Sequence, residues 1–395
     1  MIFKSLSIHI LAAVLIIGLS PMVRDLSADS LPYGTIDFEH LTTRDGLANP
    51  VVYDMIQDRH GFLWFGTGNG ISKFNGYEFI NYFPDAEDPY SIGKGPILKL
   101  FLDSKNNIWA TSLSTGLYKF DEKNNRFSFF RHDPEDTNSL PSDTAYKIDE
   151  DKFGNLWIST LDAGIVRYNP DTDTYTRFQH DPSNPDSLSS NATAGILCDS
   201  QGHIWISTMK NGCDRFDPTT GIFTHYLPGT PHAIDMIEDQ FHDIWIPTLG
   251  HGVYRFIRNE GRFVSYTHDN KDPNSISHNQ VIKAFEDRTG TMWLTTWGGG
   301  VNIYDRESDM FKSYMHDPVN PFSISHNSTW GIFEDHSGVI WIGTYGAGVN
   351  KFDRKKERFQ VTRHYPGRSD GLSHSSVKTI HEDANGIFWI GTLGG

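Results

Sequence analysis

The sequence has little positive charge for its length of 395 residues. Lys and Arg number 34 against 49 Asp and Glu, which gives a formal net charge of −15, and no long basic run is present. Nucleic acids and anionic lipid surfaces both favour clustered Lys and Arg. The composition therefore argues against either as a partner.

Long apolar runs are confined to the N-terminus. Residues 6–19 are mostly apolar and follow Lys4, which is the length and charge pattern of a signal peptide and is short for a membrane-spanning helix. Ala28 is a candidate cleavage position, although Leu26 fits the usual small-residue pattern poorly, and an uncleaved anchor is the alternative. We expect residues 1–28 to be a signal peptide or N-terminal anchor, and the rest to be exported to the periplasm.

A sustained apolar period of 3.6 residues is also missing, so we expect almost no helix. Instead, one tryptophan-centred segment recurs along the whole chain. Its spacings are 45, 48, 48, 40, 48, 48 and 48 residues between Trp64, Trp109, Trp157, Trp205, Trp245, Trp293, Trp341 and Trp389. A nearly constant period of this length predicts a repeat architecture.

Each repeat shows the pattern of four short strands joined by polar turns. In copy seven the predicted strands are Thr329–Glu334, Val339–Thr344, Gly348–Asp353 and Arg358–Arg363. Four strands per unit and about eight units predict an all-β fold, a β-propeller of four-stranded blades. We expect about seven blades over residues 35–370, with residues 371–395 as the start of an incomplete eighth repeat. The alternative is eight blades, with residues 36–41 closing the ring as the fourth strand of the last blade.

The two cysteines, Cys198 and Cys213, both lie in copy four. Alignment on the Trp places them on strands one and three. Strands two positions apart are separated by roughly 9–10 Å, which is too far for a disulfide. We expect two free thiols.

Two kinds of polar residue repeat around the predicted ring. Acidic pairs end strand one at residues 150–151, 238–239, 286–287, 334–335 and 382–383. Paired carboxylates can perform acid–base chemistry, but pairs spread around a ring cannot converge on one substrate, which favours turn capping. His-Asp-Pro segments also recur, as at residues 132–134, and His and Asp together could bind a metal. A turn-forming role is favoured, because Asp-Pro initiates turns. We expect no metal site.

The pattern Glu-Asp-x-x-Gly-x-Ile-Trp-Ile-Gly-Thr-x-x-x-Gly-Val-x-x-Phe-Asp resembles the two-component regulator propeller repeat, over about residues 35–395. The resemblance implies the periplasmic sensor region of a sensor or hybrid histidine kinase. Many members of the family respond to oligosaccharides from glycan breakdown. In the family, two seven-bladed propellers usually lead to a β-sandwich, a transmembrane helix and the kinase.

None of those later parts follows in this sequence, which stops just after strand two of copy eight. We therefore expect the chain to be the front part of a longer protein, without catalytic residues, enzymatic activity or a cofactor. Homodimerisation would require the missing C-terminal parts. Contact with a membrane would come only from the N-terminal segment or a missing downstream helix.

Strand directions alternate within a blade, so the turns between strands two and three share one face of the disc with the loops between blades. We call this the loop face and the opposite one the turn face. The aromatic residues predicted at the loop face suit the apolar faces of sugar rings. The candidate ligand-binding residues are Trp297, Trp330, Tyr345, Tyr146, Asp162, Lys210 and His251.

Since we expect no convergent cationic cluster on the disc, the expected ligand is a neutral or weakly charged oligosaccharide. Three alternatives remain open. The aromatic residues could simply pack between blades. The chain could be a propeller enzyme, a polysaccharide lyase or glycoside hydrolase using Asp162, Lys210 and His251. It could also be a non-functional fragment.

Overall fold

The computed structural model describes residues 36–227, 229–230, 232–355, 364, 371–384 and 387–394, which belong to one compact unit, Thr35–Gly395. Among these residues, the only helical element is a three-residue 3-10 turn, Thr43–Asp45. No helix in this part of the chain has the length and apolar character needed to cross a membrane.

Seven antiparallel sheets of four strands form the blades of a propeller. The first strand of the chain, β1 (Glu39–Leu41), belongs to the last blade. Blades 1 to 3 contain β2 (Val52–Gln57), β3 (Leu63–Thr67), β4 (Ile71–Phe74), β5 (Phe79–Tyr82); β6 (Ile97–Leu102), β7 (Ile108–Ser112), β8 (Gly116–Asp121), β9 (Arg126–Phe130); and β10 (Ala145–Glu150), β11 (Leu156–Thr160), β12 (Ile165–Asn169), β13 (Thr174–Phe178).

The remaining blades repeat this order. Blades 4 to 6 contain β14 (Thr193–Cys198), β15 (Ile204–Thr208), β16 (Cys213–Asp217), β17 (Ile222–Tyr226); β18 (Ile237–Glu238), β19 (Ile244–Pro247), β20 (Val253–Ile257), β21 (Arg262–Tyr266); and β22 (Val281–Glu286), β23 (Met292–Thr296), β24 (Val301–Asp305), β25 (Met310–Tyr314). Blade 7 combines β26 (Thr329–Glu334), β27 (Val339–Thr344) and β28 (Val349–Asp353) with β1.

The ring closes between blade 7 and blade 1. A Cβ added at Gly343 of β27 would come 2.6 Å from the carbonyl oxygen of Val52 on β2, so the two blades are in direct contact. The prediction of seven blades is therefore confirmed. The alternative is wrong in its count of eight, but its prediction that residues 36–41 supply the fourth strand of the last blade is confirmed by β1. The strands of copy eight, β29 (Val377–Glu382) and β30 (Phe388–Thr392), form a separate two-stranded sheet.

The outer edge of blade 7 differs from the prediction. The segment Arg358–Arg363, predicted as its fourth strand, lies outside the described residues. β1 pairs there with β28, with Glu39 opposite Lys351 and Leu41 opposite Val349. Phe38, just before β1, is 2% exposed and packs against Phe352. The N-terminal strand thus joins the first part of the propeller to the last.

The repeated Trp residues form the core between blades. Trp64 and its six counterparts in the blades are all buried, and Trp64 packs against Phe120 of the next blade with ring centroids 4.8 Å apart. A buried indole N–H needs an acceptor. The Asp six residues earlier supplies it, as in the 2.8 Å bond from Trp341 Nε1 to Asp335 Oδ2.

The acidic pairs stabilise turns, as predicted. Oδ1 of Asp335 also accepts backbone N–H groups of Ser337 and Val339 in its own turn. The Glu of the pair reaches the preceding blade: Glu334 accepts the N–H of Arg288 at 2.7 Å, and Glu150 accepts that of Ser104 at 2.6 Å. One acid therefore shapes the turn and the other connects adjacent blades.

The His-Asp-Pro segments stabilise the loops between blades. Nδ1 of His132 lies 2.8 Å from the carbonyl oxygen of Leu140, and the same eight-residue contact occurs at His180, His268, His316 and His364. Asp133 accepts the N–H of Glu135, which is a turn contact. Cys198 and Cys213 are free thiols on β14 and β16, separated by β15, as predicted.

Candidate functional site

Four aromatic side chains from three blades meet at the loop face. Trp330 and Tyr53 are the second residues of β26 and β2, and Trp297 and Tyr345 follow β23 and β27. The ring of Trp330 lies 5.1 Å from Trp297, 6.0 Å from Tyr345 and 5.1 Å from Tyr53, measured between centroids. We call Tyr53, Trp297, Trp330 and Tyr345 the aromatic cluster.

The backbone fixes the position of this cluster. The N–H of Trp297 donates to Gln280 and that of Tyr345 donates to Ser328, each at 2.9 Å. Tyr345 keeps 41% of its surface exposed. The rings thus pack between blades, as one alternative held, and also present an apolar surface to solvent.

Tyr146 occupies the position of Tyr53 and Trp330 in blade 3. It is half-buried, and burial raises the pKa of its phenol, so it stays neutral at physiological pH. Nζ of Lys99, from the neighbouring blade, lies 6.0 Å from the centre of its ring. Tyr146 therefore contacts a charged side chain rather than the aromatic cluster.

The remaining predicted residues are exposed on loops of blades 3, 4 and 5. Asp162 and Lys210 line a common pocket of about 540 Å³, and Asp162 accepts a 2.6 Å hydrogen bond from Thr144. His251 does not line that pocket; its backbone N–H donates to Thr248 Oγ1 at 3.1 Å. The structure thus brings Asp162 and Lys210 to one pocket and leaves His251 on a loop of blade 5.

A further group, missed in the sequence, lies in the wall of the central channel. At ten residues before the Trp of each blade, five of the seven copies carry a charge, and we call these residues the channel cluster: Asp54, Lys99, Lys147, Asp235 and Lys283. The signal in the sequence was that these charged residues all lie at the same distance from the Trp, in the first strand of the blade. The expectation that no cationic side chains converge was wrong, because only closure of the ring brings the three lysines together.

Ion pairs link the channel cluster across blades. Lys283 Nζ lies 2.7 Å from Asp54 Oδ1, and Lys147 pairs with Asp235. Lys99 Nζ lies 3.6 Å from Asp235 Oδ2. Asp54 Oδ2 also accepts the backbone N–H of Leu100 in the next blade, at 3.2 Å.

Two buried members of the channel cluster, Asp235 and Lys99, hold their charges. Burial alone would raise the pKa of Asp235, but Lys147, Lys99 and Lys283 lower it below its usual range. Burial would lower the pKa of Lys99, but Asp235 and Asp54 raise it above its usual value. Asp235 is therefore a carboxylate and Lys99 an ammonium at neutral pH.

Local backbone features allow this arrangement. The pairing of strand one with strand two shifts register close to this position in six blades, and such a bulge re-aims a side chain. In blades 4 and 7, the residue ten positions before the Trp is a glycine, Gly195 or Gly331. A Cβ there would come 2.9 Å from the Cα of Asp235 and of Asp54, respectively, so glycine permits the close approach of neighbouring strands.

Comparison with known proteins agrees with this architecture. The model of the family described as "Two component regulator propeller" matches residues 46–69, 187–210, 323–346 and 371–394. Four segments of the chain thus match the repeat of this family. Each match spans the first two strands of its copy, in blades 1, 4 and 7 and in the eighth copy.

Two relatives of these propeller repeats come from sensor systems. The extracellular domain of the putative hybrid two component system BT3049 from B. thetaiotaomicron has a TM-score of 0.78 and 26% identity, over 91% of this chain and 47% of that one. "Histidine kinase P4" from Formosa agariphila is 44% identical over 55 residues, which are 14% of this chain and 4% of the relative. This chain spans about half the length of the solved relative and a small part of the curated one.

A second solved structure shares the fold alone. Virginiamycin B lyase from Staphylococcus aureus has a TM-score of 0.61 and 15% identity, over 80% of this chain and 99% of the lyase. A propeller of this shape thus occurs in an enzyme as well as in sensor domains.

Proposed function

We propose that this chain is the exported, ligand-sensing part of a two-component signal transduction system, and that it recognises an oligosaccharide at the loop face. The propeller repeats and the 26% identity with the extracellular domain of a putative hybrid two component system support the sensor role. Transmission of the signal to a histidine kinase, and location in the periplasm, are parts of this proposal.

The observation that carries the saccharide proposal is the aromatic cluster. The C–H faces of sugar rings are apolar, and stacking on an aromatic ring removes apolar area from water. Tyr345 is exposed, and Trp297 and Trp330 contact it with ring centroids 4.7 and 6.0 Å away. Each ring in contact with sugar should contribute on the order of 1 kcal/mol.

Ligand sensing is favoured over catalysis by the comparisons. The solved relative at 26% identity is the extracellular domain of a putative hybrid two component system, whereas the lyase is similar in fold at 15% identity. Incubation of the chain with each glycan that binds, followed by mass spectrometry, tests this part of the proposal. Sensing predicts glycans of unchanged mass, and cleavage of a bound glycan would support the enzyme alternative.

Calorimetric titration against a panel of neutral and acidic oligosaccharides tests the binding proposal. We expect at least one glycan to bind, and Trp297→Ala and Tyr345→Ala each to weaken it about fivefold or more. Tyr77→Ala is the matched control, since Tyr77 is 94% exposed and lies outside the aromatic cluster. Unchanged affinity in both cluster variants would show that the glycan binds elsewhere.

A further inference from the structure

The channel cluster contains more positive than negative charge. Its members are three lysines and two aspartates, in a chain whose formal net charge is −15. The side chains of Asp235 and Lys99 are 1% and 7% exposed. An excess charge at such a buried place costs free energy unless an opposite charge accompanies it.

The excess can be traced to Lys99. Lys283 is hydrogen-bonded to Asp54, and Lys147 donates to both Asp235 and the carbonyl oxygen of Met236. The 3.6 Å between Lys99 Nζ and Asp235 Oδ2 exceeds a hydrogen bond. That oxygen is also buried and accepts no hydrogen bond from the described residues. Two pairs are formed, and Lys99 supplies the third cation.

Another carboxylate, Asp149, lies two residues after Lys147. It is not a counter-ion for Lys99 by contact, because its oxygens accept the backbone N–H groups of Cys198 at 2.8 Å and Glu150 at 2.9 Å. Burial raises the pKa of Asp149 to about 6, while those two bonds and the nearby Lys147, rather than Lys99, favour its carboxylate form. Asp149 therefore does not provide the ammonium of Lys99 with a hydrogen-bonded acid.

The channel cluster lies close to the loop face. Asp54, Lys99, Lys147 and Lys283 are the third residues of their strands, next in sequence to Tyr53 in blade 1 and Tyr146 in blade 3. Solvent reaches the side chains of Lys147 and Lys283, which are 18% and 17% exposed. A sugar held at the channel mouth would therefore direct a charged substituent towards the lysines.

We propose that the channel cluster binds the oxyanion of an acidic sugar, a carboxylate or a sulfate ester, with Lys99 as the main contact. This deepens the proposed function and rests on it, and it replaces the expected neutral ligand by an acidic one. An oxyanion matches the cluster because it neutralises the excess charge and accepts charge-assisted hydrogen bonds from ammonium groups. Stacking on Tyr146 or on the aromatic cluster would orient the sugar ring.

Two titrations of the full chain test the proposal. In the first, tetragalacturonate is compared with its methyl ester, which has a similar shape and lacks the charges. In the second, thermal unfolding is followed with glucuronate, glucose 6-sulfate or glucose at matched ionic strength. Each is repeated with Lys99→Met and with the control Lys271→Met, which removes an exposed lysine from the loop between β21 and β22, on the same face and outside the candidate site.

We expect an acidic probe to bind at least tenfold more tightly than its neutral counterpart, and Lys99→Met to remove that preference while Lys271→Met preserves it. Lys99→Met leaves two lysines with two aspartates, and circular dichroism checks its fold. If it does not fold, the acid and ester comparison on the unaltered chain still decides. Comparison of glucose 6-sulfate with glucuronate shows which oxyanion is preferred.

The remaining outcomes separate this inference from the proposed function. Binding of neutral glycans with no acidic preference would overturn the oxyanion site and leave oligosaccharide sensing intact. Stabilisation by glucuronate through Lys99 without binding of any oligosaccharide would support the site and overturn the saccharide part of the proposed function. No response to any probe would overturn both.

Discussion

His225 Nδ1 lies 2.7 Å from Oδ1 of Asp214, whose carboxylate is fully buried in blade 4. The other oxygen of Asp214 accepts the N–H of Ser189 at 2.7 Å, which fixes the loop before β14. In blades 6 and 7 the neutral Asn302 and Asn350 make the equivalent contact with a serine N–H. Asp214 therefore performs a structural role that elsewhere needs no charge, and His225 supplies its counter-charge.

The Asp214–His225 pair should make stability depend on pH. Burial raises the pKa of Asp214. Burial would lower the pKa of His225, but its contacts with Asp214 and the Pro185 carbonyl raise it above its ordinary 6.5. Both groups thus bind protons more readily when folded. The stabilisation by His225 is fully present below pH 6.5 and is lost as the pH rises through its folded pKa.

Asp214→Asn provides the measurement. The free energy of unfolding of the unaltered chain minus that of Asp214→Asn should decrease between pH 6 and pH 9, as followed by urea denaturation. A difference that stays constant over this range would exclude a charged His225.

At pH 6, His225→Ala should cost about 2 kcal/mol, because it leaves a buried carboxylate without its cation. The same change in the Asp214→Asn background should cost less.

Trp341 and Trp389 hold the same place in two copies of the repeat but differ in burial. Trp341 is 5% exposed in blade 7, and Trp389 is 62% exposed in the two-stranded sheet of copy eight. Trp341→Ala should cost about 3–5 kcal/mol, the range for a buried aromatic side chain. Trp389→Ala should cost under about 1 kcal/mol, since little packing is lost.

Urea denaturation of the two Trp variants gives both values. Equal losses would contradict the exposed position of Trp389. A loss under about 1 kcal/mol for Trp341→Ala would instead show that the strand register is wrong, because a one-residue shift exchanges the two faces of a strand.

The blade count and most strand boundaries were predictable because they follow from local repetition. The Trp period identified β26 and β27 at their observed bounds, and the Asp six residues before each Trp predicted the turn. These features depend on contacts within one hairpin or between successive copies. Alternation of side chains and turn chemistry determine them in each copy independently.

Closure of the ring and the channel cluster could not be predicted in the same way. Residues 36–41 were predicted as a closing strand only within the eight-blade alternative. The edge of β28 can pair with any strand of suitable pattern, and β1 lies 310 residues away in sequence, from Glu39 to Val349 (349 − 39). Lys99 and Asp235 likewise come from blades 2 and 5, and each looked like an isolated irregularity of its own strand. Both features arise only when the seven blades form a ring.

Closure by β1 can be tested with a disulfide. Glu39 and Lys351 are paired residues on β1 and β28, and their side chains form a 2.8 Å ion pair. Both side chains reach solvent, so replacement of the two by cysteine should disturb the core little. Facing residues of neighbouring antiparallel strands lie within the Cα separation that a disulfide spans.

Oxidation of Glu39→Cys/Lys351→Cys should form this bond and stabilise the propeller by several kcal/mol. The covalent link would close a loop of about 310 residues and reduce the conformational entropy of the unfolded chain, an effect that grows with loop length. The increase should appear in urea denaturation and disappear with a reducing agent. Cys198 and Cys213 should stay reduced, because burial raises the pKa of both thiols.

A matched control distinguishes the observed partner from its neighbours. Glu39→Cys combined with Lys312→Cys places the second thiol on β25 of blade 6, outside the sheet that contains β1. The control should not form an intramolecular disulfide under the same oxidation. Failure of the Glu39→Cys/Lys351→Cys pair to oxidise, or equal oxidation of both pairs, would show that β1 does not hold the fourth position of blade 7. Selective oxidation with increased stability would establish that the N-terminal strand closes the ring.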